Sequence, residues 1–205
     1  MHRFFVPPKT ISKNSFFSEE RDFCHQLFQV LKLKKGEQIV LLTNSEHEYV
    51  FEIQDISAKS VRRGLQKQTF KADISTEKSV HLYVPPLKNQ SRWEWMLEKG
   101  TEIGVASFTP LMTQRSEVKS LRKMQRLEKI LQEAAEQSGR TKLPELRGPI
   151  ELKKVPPEGN NLFFSIHPSS KPLNSYKLQA KSYNLFLGPV GDFSEEEVEW
   201  AIAAG

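Results

Sequence analysis

A short loop between an apolar strand and a capped helix is the segment of this sequence best suited to hold a ligand. Residues 184–187, with the sequence Asn-Leu-Phe-Leu, predict a buried strand. Residues 188–192 follow with two glycines and a proline, so they can continue neither a strand nor a helix. Ser194 then begins a helix, and Glu197 stands three residues later, which is the capping-box pattern. Glycines in such a loop let the backbone approach a ligand and present bare N–H and C=O groups to it.

The order strand, loop, helix predicts where this loop lies. It places a gap of ligand size at the carboxyl end of a parallel strand, which is where open α/β sheets bind small molecules. The residues at this gap are Leu187, Gly188, Pro189, Val190 and Gly191. The same pattern is compatible with an ordinary turn between a strand and a helix, so the loop alone does not decide between the two.

Two further groups of polar residues follow predicted elements. Arg115 comes just beyond the carboxyl end of a strand, where an arginine can hold a phosphate bidentately or face an active-site cleft. In the segment 133–140, two alanines allow close packing, while Glu136, Gln137 and Arg140 lie at a helix end and can reach a partner or ligand. A surface arginine and a solvated helix end are the alternatives.

A basic set near the N-terminus comprises His2, Arg3, Lys32, Lys34 and Lys35. Lysine and arginine neutralise phosphates and position RNA without reading its sequence. The net charge of +5 and the isoelectric point near 9.2 also favour a polyanionic partner such as nucleic acid. A solvated basic face on a soluble protein would give the same pattern.

The pattern of short strands and one helix in the first third of the chain predicts a small β-barrel-like domain over residues 1–76. It contains one helix, Glu19 to Lys32, with Ser18 as its N-cap and Gly36 after its end. The remaining pattern is of short strands, at residues 3–6, 38–43, 48–56, 59–65 and 70–74.

From residue 77 to residue 205 strands and helices alternate, which predicts an α/β domain with a mostly parallel sheet covered by helices. The predicted strands are residues 80–84, 105–111, 162–166 and 185–187. The predicted helices are Arg92 to Ile103, ended by Gly104, and Glu117 to Ser138, ended by Gly139.

Composition excludes several classes of protein. Cys24 is the single cysteine, so no intramolecular disulfide forms, and we expect it to be buried in a helix. The five histidines are scattered without metal-ligand spacing, so we predict no metal site. No apolar run is long enough to span a bilayer and the N-terminus is not a signal peptide, which predicts a cytoplasmic protein. The sequence also lacks a dinucleotide-binding glycine pattern, a P-loop and a nucleophile elbow.

Several stretches together resemble one family, the RsmE-type 16S rRNA (uridine-N3) methyltransferases of the SPOUT, or trefoil-knot, superfamily. The resemblance covers nearly the whole chain in order, and the segment 133–140 is its most specific part. The matching stretches are Arg3 to Val6, His25 to Gly36, Trp93 to Met96, Lys99 to Val105, Pro110-Leu111, Arg115-Ser116, Glu133 to Arg140 with Pro144, and Gly188-Pro189-x-Gly191-x-Phe193-Ser194.

The resemblance implies a PUA-like N-terminal domain that holds rRNA, with Arg3, Lys32 and Lys34 as its contacts. It implies a knotted C-terminal domain that binds S-adenosyl-L-methionine through backbone loops, one of them formed by residues 187–191. It also implies a homodimer with active sites at the subunit interface, acting on the small ribosomal subunit. We expect Arg115 or Arg140 to stabilise the uridine anion left by loss of the N3 proton, and Glu102 is a candidate base, with structural pairing as the alternative.

The sequence departs from the family in three places. After Gly-Pro the family usually has Glu-Gly-Gly, whereas this chain has Val190, Gly191 and Asp192; Lys32 replaces a common arginine. The family also continues beyond the position of Gly205 with a strand and a loop of the type Leu-Gly-x-Arg-Ile-Leu-Arg-x-Glu-Thr-Ala, which threads the knot and encloses the adenine. These departures lead us to expect either a longer natural chain or a rival function, a catalytically inactive RNA-binding protein of the same fold. A methyltransferase of the same type acting on another RNA is a third possibility.

Overall fold

The structure is a computed structural model that describes residues 1–12, 15–71, 78–118, 121, 123–156 and 159–204. The chain divides into two compact units. The first consists of Met1–Ile74 with Ala135–Lys142, and the second of Ser75–Ala134 with Leu143–Gly205. The predicted domain boundary between residues 76 and 77 lies outside the described residues and stays a prediction.

The first unit is built on a six-stranded sheet in the order β1-β4-β5-β6-β3-β2. Its first pair, β1 with β4, is parallel and the other pairs are antiparallel. Its core is rich in phenylalanine and branched aliphatic side chains, including Phe4, Phe16, Phe51, Leu27 and Ile39. The strands are β1 (His2–Phe5), β2 (Ile11–Ser12), β3 (Ser15–Ser18), β4 (Gln38–Leu42), β5 (His47–Ile56) and β6 (Val61–Lys71).

The helix predicted over residues 19–32 is shorter and less regular than expected. Helix α1 (Arg21–His25) passes into one π-helical stretch, Gln26–Val30, and Lys32 has a left-handed φ of +54°. The N-cap is Glu20 and not Ser18, because the Glu20 carboxylate accepts hydrogen bonds from two amides of the first turn, at 3.3 and 3.2 Å. Cys24 is buried, as predicted.

Two strands predicted separately, over residues 59–65 and 70–74, belong to one continuous strand as far as they are described. β6 begins at Val61, since the Ser57–Ser60 turn occupies the preceding residues, and it runs without a break to Lys71. Long antiparallel pairing with β5 keeps the strand together through polar residues that carry no strand signal of their own. Residues 72–74 lie outside the described residues. The hairpin of β2 and β3 was not predicted.

The second unit contains a parallel sheet in the order β10-β8-β7-β12-β11, with β9 also paired to β8. This confirms the predicted parallel sheet. The strands are β7 (Ser79–Val84), β8 (Ser107–Met112), β9 (Glu145–Leu146), β10 (Ile150–Glu151), β11 (Asn161–Phe164) and β12 (Ser182–Leu187), and the helices are α2 (Gln90–Glu102), α3 (Met124–Ser138) and α4 (Glu195–Ala204).

Side chains of the parallel sheet contribute to two separate hydrophobic cores, because consecutive residues along a strand point to opposite faces of the sheet. Leu82 and Val84 of β7 belong to a cluster with α2 and α3, whereas Tyr83 between them belongs to a cluster with α4. Gly100 lets α2 lie directly on this sheet, because a Cβ atom there would come within 2.7 Å of the Phe108 ring. Helices therefore cover both faces, which is the α/β layering that the alternation of elements predicts.

The structure corrects several boundaries in this unit, among them the end of the strand predicted over residues 162–166, since β11 ends at Phe164. The helix predicted from residue 117 begins at Met124, since a turn closed by Thr113 and Ser116 follows β8 and Lys123 has a left-handed φ of +57°. Ile103, predicted as the last residue of α2, is 83% exposed, because α2 ends one residue before it. The strand predicted from residue 105 begins at Ser107, and the two-residue strands β9 and β10 are too short to give a periodic signal.

A bidentate ion pair ties α2 to the start of α3 and predicts a pH dependence of stability. Arg126 Nε and Nη2 lie 2.7 and 2.8 Å from the two oxygens of Glu94. The hydrogen bond from Arg126 is the largest of the influences that lower the pKa of Glu94 to about 2, from 4.5. A lowered carboxyl pKa stabilises the folded state above the unfolded pKa and loses that effect as the pH falls through the folded one.

We therefore expect Glu94→Gln to lower the free energy of unfolding at pH 7, with the deficit shrinking between pH 4.5 and about 2. Urea unfolding followed by tryptophan fluorescence is the measurement, since Trp93, Trp95 and Trp200 all lie in the second unit. Arg126→Gln is the matched control and should give the same pH profile. A deficit that stays constant across this range would contradict the prediction.

Candidate ligand site at the carboxyl edge of the parallel sheet

The loop that follows β12 is a tight turn that requires glycine at its first position. The Asp192 amide donates a hydrogen bond to the Pro189 carbonyl at 2.9 Å, which closes the turn. A Cβ atom on Gly188 would lie 2.8 Å from Asp192 Oδ1, 3.2 Å from the Phe193 ring and 3.3 Å from the Asp192 Cα. Gly188 is therefore a position where the backbone lies close to Asp192 and Phe193, whereas the predicted approach of this loop to a ligand stays a prediction.

The predicted capping box at the start of α4 is present. The Glu197 amide donates to Ser194 Oγ at 3.3 Å, and the Ser194 amide donates to Glu197 Oε2 at 3.0 Å. The second carboxylate oxygen, Oε1, accepts a hydrogen bond from the Gln114 amide at 2.7 Å. This buried carboxylate thus joins the loop after β12 to the loop after β8, a link the sequence pattern does not reveal.

We predict that Glu197→Ala lowers the free energy of unfolding of the second unit by about 2–3 kcal/mol, since it leaves the Gln114 and Ser194 amides without a charged acceptor. Urea unfolding followed by tryptophan fluorescence would measure this. Glu195→Ala is the control, because Glu195 is an exposed carboxylate in the same helical turn. Equal losses in the two variants would contradict a special role for Glu197.

Arg115, predicted beyond the carboxyl end of a strand, lies at the same loop. Its Nη1 atom donates to the Gly191 carbonyl at 2.6 Å and to the Phe193 carbonyl at 3.2 Å. The guanidinium therefore spans from the end of β8 to the turn after β12. Its side chain holds the loop backbone in place and also brings a permanent positive charge to this edge of the sheet.

Asp192 connects the loop to a third strand end. Its Oδ2 atom accepts hydrogen bonds from the Ser165 hydroxyl at 2.8 Å and from the Ile166 amide at 2.9 Å, both just after β11. Burial alone would raise the pKa of Asp192, but these two hydrogen bonds, one from the Phe193 amide and the charge of Arg115 together lower it. The carboxylate is therefore ionised at neutral pH.

A cavity of about 900 Å³ opens beside the loop, within the second unit. Such a volume lies within the range of roughly 300–1,000 Å³ found for small-molecule sites. Its walls combine apolar side chains with loop backbone and a few polar groups. They include Leu187, Gly188, Pro189, Val190, Asp192, Ser165, Ile166, Tyr176 and Ile202. The arrangement suits a ligand that has an apolar or aromatic part and is oriented by backbone groups.

Of the other two residues predicted for catalysis, one lies at the opposite edge of the sheet and the other belongs to the first unit. Glu102 is at the end of α2, next to the amino end of β8, whereas the loop lies at the carboxyl edge of the sheet; its carboxylate pairs with Lys99 at 2.8 Å. Arg140 belongs to the first unit, follows the end of α3 at Gly139 (φ +77°) and is half-buried, and desolvation lowers its pKa. The structure brings Arg115 together with Leu187–Gly191 within the second unit.

The predicted RNA contacts of the first unit differ in exposure. Lys32 and Lys34 are exposed, and Lys35 beside them is exposed as well. Arg3 is half-buried, with its Nε atom 3.5 Å from Glu48 Oε1 and close to Gly139. In the same unit the Phe5 amide donates to Glu136 Oε1 at 2.8 Å, so one polar residue of the predicted segment 133–140 supports the end of β1.

Comparison with known proteins decides the family. Residues 75–205 match the family model of an RNA methyltransferase domain, and residues 19–62 match an RNA methyltransferase PUA domain. The chain belongs to this RNA methyltransferase family. The match confirms the resemblance to RNA methyltransferases found in the sequence and, with the parallel sheet of the second unit, the predicted PUA-like domain followed by an α/β domain.

Relatives within the RNA methyltransferase family share one name, ribosomal RNA small subunit methyltransferase E. The protein of that name from Bacillus subtilis is 27% identical to this chain, with 97% of this chain and 84% of the relative aligned. The one from Aquifex aeolicus is 28% identical over 89% of this chain and 83% of its own length.

Solved structures of methyltransferases share the fold. A methyltransferase from Legionella pneumophila in complex with SAM has 29% identity and a TM-score of 0.85, covering 99% of this chain and 86% of that one. The ribosomal RNA small subunit methyltransferase E from Neisseria gonorrhoeae, bound to S-adenosyl methionine, has a TM-score of 0.86 at 23% identity, which shows the fold alone.

The described part of the chain shows neither a metal-binding cluster nor a membrane-spanning helix. There, no cluster of three histidine, cysteine, aspartate or glutamate side chains is placed to hold a metal ion. Among the same residues, no helix has both the length and the apolar character needed to cross a membrane.

Proposed function

We propose that this protein transfers a methyl group from S-adenosylmethionine to N3 of a uridine in the 16S rRNA of the small ribosomal subunit. The observation that carries the proposal is the turn at residues 188–193, which forms one wall of a ligand-sized cavity at the carboxyl edge of the sheet. The support from comparison is membership of an RNA methyltransferase family and a relative, 29% identical, that binds SAM.

The residues around the cavity fit this cofactor. The cavity of about 900 Å³ has room for a nucleoside joined to an amino-acid chain, and its apolar walls suit an adenine ring. The backbone of residues 187–190 lines the cavity and offers hydrogen-bonding groups, and Asp192, which also lines it, offers negative charge to a cationic ligand. We propose Leu187, Gly188, Pro189, Val190 and Gly191 as the cofactor contacts.

The bound cofactor supplies a methyl group on a positively charged sulfur, which is already an excellent leaving group. The protein's task is then to orient donor and acceptor in line and to stabilise the anion formed when the uridine N3 proton is lost. Arg115 is the candidate for that stabilisation, because its guanidinium lies at the loop. Arg140, which belongs to the first unit, stays a candidate for the same role, and Glu102, at the end of α2, stays a candidate for the base.

The first unit is proposed to hold the RNA. Exposed Lys32 and Lys34 would neutralise backbone phosphates, and Arg3 would add a charge already oriented by Glu48. We also propose the division into an RNA-binding domain over residues 1–76 and a methyltransferase domain over residues 77–205, a homodimeric assembly, and a cytoplasmic location, where the small ribosomal subunit is found.

The proposal is tested by titrating S-adenosylmethionine into the 205-residue protein by calorimetry and then assaying methyl transfer from labelled cofactor to 30S subunits. We expect micromolar binding and label in the 16S rRNA, recovered as N3-methyluridine after digestion to nucleosides. Label at another atom would contradict the proposed chemistry. Label in tRNA but not in 30S subunits would favour the same enzyme type acting on another RNA.

A second function, an RNA-binding protein without catalysis, is favoured by one observation. Val190 replaces the glutamate usual in the family, and its apolar side chain is 91% exposed at the cavity. Such a protein would bind 16S rRNA but show no heat of cofactor binding. Retained RNA binding without cofactor binding, in this chain and in any form extended beyond residue 205, would establish it.

A further inference from the structure

Asp192 has a backbone conformation that only a few residue types tolerate. Its φ is +58°, in the left-handed region, where aspartate and asparagine are accepted more readily than other residues with a side chain. The peptide before it closes the turn through the bond to Pro189. The conformation places the Asp192 side chain back over Gly188, since Oδ1 would lie 2.8 Å from a Cβ atom at that position.

The carboxylate that results from this conformation joins two segments that both line the cavity. One is residues 165–166, directly after β11, whose hydroxyl and amide both donate to Oδ2. The other is the turn itself, residues 188–190 with Asp192. Because a charged acceptor shared by two donors is stronger than neutral hydrogen bonds, the link resists opening.

Among the described hydrogen bonds, the other fixed points of the turn do not duplicate this link, although the Phe193 ring also packs on Phe163 of β11 with ring centroids 4.8 Å apart. Arg115 binds the Gly191 and Phe193 carbonyls from the β8 side, and Glu197 binds the Ser194 and Gln114 amides. Both therefore connect the turn to β8, whereas Asp192 connects it to β11. Without Asp192, the described hydrogen bonds hold the turn from the β8 side, and the cavity wall at residues 165–166 loses its anchor to the turn.

We propose that Asp192 is a positioning residue that holds Ser165 and Ile166 against the turn at residues 188–193 and so fixes the cofactor-binding wall of the cavity. This inference rests on the proposed function for its effect on cofactor binding. Its structural part is the pair of hydrogen bonds from Ser165 and Ile166 to the Asp192 carboxylate, which we call the clasp. The clasp is measurable without any ligand.

The ligand-free test is amide hydrogen exchange at Ile166, whose N–H is bonded to Asp192 Oδ2. Three variants separate the backbone from the side chain. Asp192→Gly accepts the left-handed φ but has no acceptor, Asp192→Ala has neither property, and Asp192→Asn keeps the conformation and one uncharged acceptor. We expect exchange at Ile166 to rise by roughly tenfold or more in the glycine and alanine variants and by less in the asparagine variant. Unchanged exchange in Asp192→Gly would overturn the clasp.

The test with ligand is calorimetric titration of S-adenosylmethionine, together with kcat and KM for methyl transfer. We expect Asp192→Gly to raise Kd and KM by roughly tenfold, with a smaller change in kcat. Ser165→Ala should raise Kd severalfold in the wild-type background but barely in Asp192→Gly, since the hydroxyl acts through the carboxylate. Glu195→Gln, which removes an exposed charge nearby, should leave Kd unchanged.

The outcomes separate this inference from the proposed function. A wild-type protein that does not bind the cofactor contradicts the function, while the exchange experiment still decides the clasp. Independent effects of Ser165→Ala and Asp192→Gly on Kd would overturn the inference even if the function holds. The inference would also be overturned if the rise in Kd of Asp192→Gly only followed its loss of thermal stability and an equal rise occurred in Glu195→Gln.

Discussion

Replacing Gly188 with alanine is expected to weaken S-adenosylmethionine binding by at least roughly tenfold and to lower methyl transfer with it. The added Cβ would meet Asp192 Oδ1 at 2.8 Å, the Phe193 ring at 3.2 Å and the Asp192 Cα at 3.3 Å. Asp192 cannot move aside freely, because Ser165 and Ile166 hold its carboxylate. The turn must therefore shift away from its place at the cavity wall. Calorimetric titration with the cofactor is the measurement.

The control for this variant is Gly148→Ala. Gly148 lies in the same unit, and a Cβ atom there would meet nothing within 4 Å. We expect this variant to bind the cofactor as the wild type does. Wild-type affinity in Gly188→Ala would show that the turn tolerates the shift and that its backbone does not contact the cofactor.

Arg115→Ala is the second substitution with a large expected effect. Considered from the sequence alone, it should cut methylation far more than cofactor binding, since a catalytic cation would act on the uridine. The structure adds two hydrogen bonds from its guanidinium to the Gly191 and Phe193 carbonyls, at 2.6 and 3.2 Å. We therefore expect cofactor affinity to fall as well, by about tenfold, and the rate of methyl transfer at saturating cofactor to fall further.

Arg115→Lys and Arg92→Ala are the matched variants. Lysine keeps the charge but cannot place its ammonium where Arg115 Nη1 donates to both carbonyls, so we expect an intermediate loss of affinity with a largely retained rate at saturation. Arg92 is an exposed arginine on α2, and its replacement should leave cofactor binding unchanged. If Arg115→Ala lost cofactor affinity but kept its rate at saturation, Arg115 would not stabilise the uridine anion. It would then only support the loop.

Local patterns predicted the elements that carry their own signals. The alternation of apolar strands with amphipathic helices predicted the parallel sheet of the second unit, and the Ser194–Glu197 capping box predicted the start of α4. Glycines after helices predicted the ends of α2 and α3, where Gly104 and Gly139 have φ values of +100° and +77°. Predictions failed where pairing or tertiary contacts decide, as in the start of α3 and the full length of β6.

The candidate site was predicted only in part, because some of its residues carry local signals and others are brought together only by tertiary contacts. The loop of residues 188–191 was evident because glycine and proline between a strand and a helix constrain the chain locally. Arg115 was predicted near a cleft from its place after a strand, but not its bonds to the loop carbonyls. Ser165 was predicted only as part of the strand over residues 162–166 and not as a site residue, since a serine gives no signal of a partner 27 residues away.

The sequence by itself determined the family, the two-part architecture and the position of the ligand loop, because these depend on residue order, periodicity and backbone constraints within short windows. The tertiary structure decided which side chains meet at the carboxyl edge of the sheet. Arg115, Ser165, Asp192 and Glu197 come together there because parallel pairing places the ends of β8, β11 and β12 along one edge. Distances between groups so far apart in the chain depend on strand order and register, which no local pattern encodes.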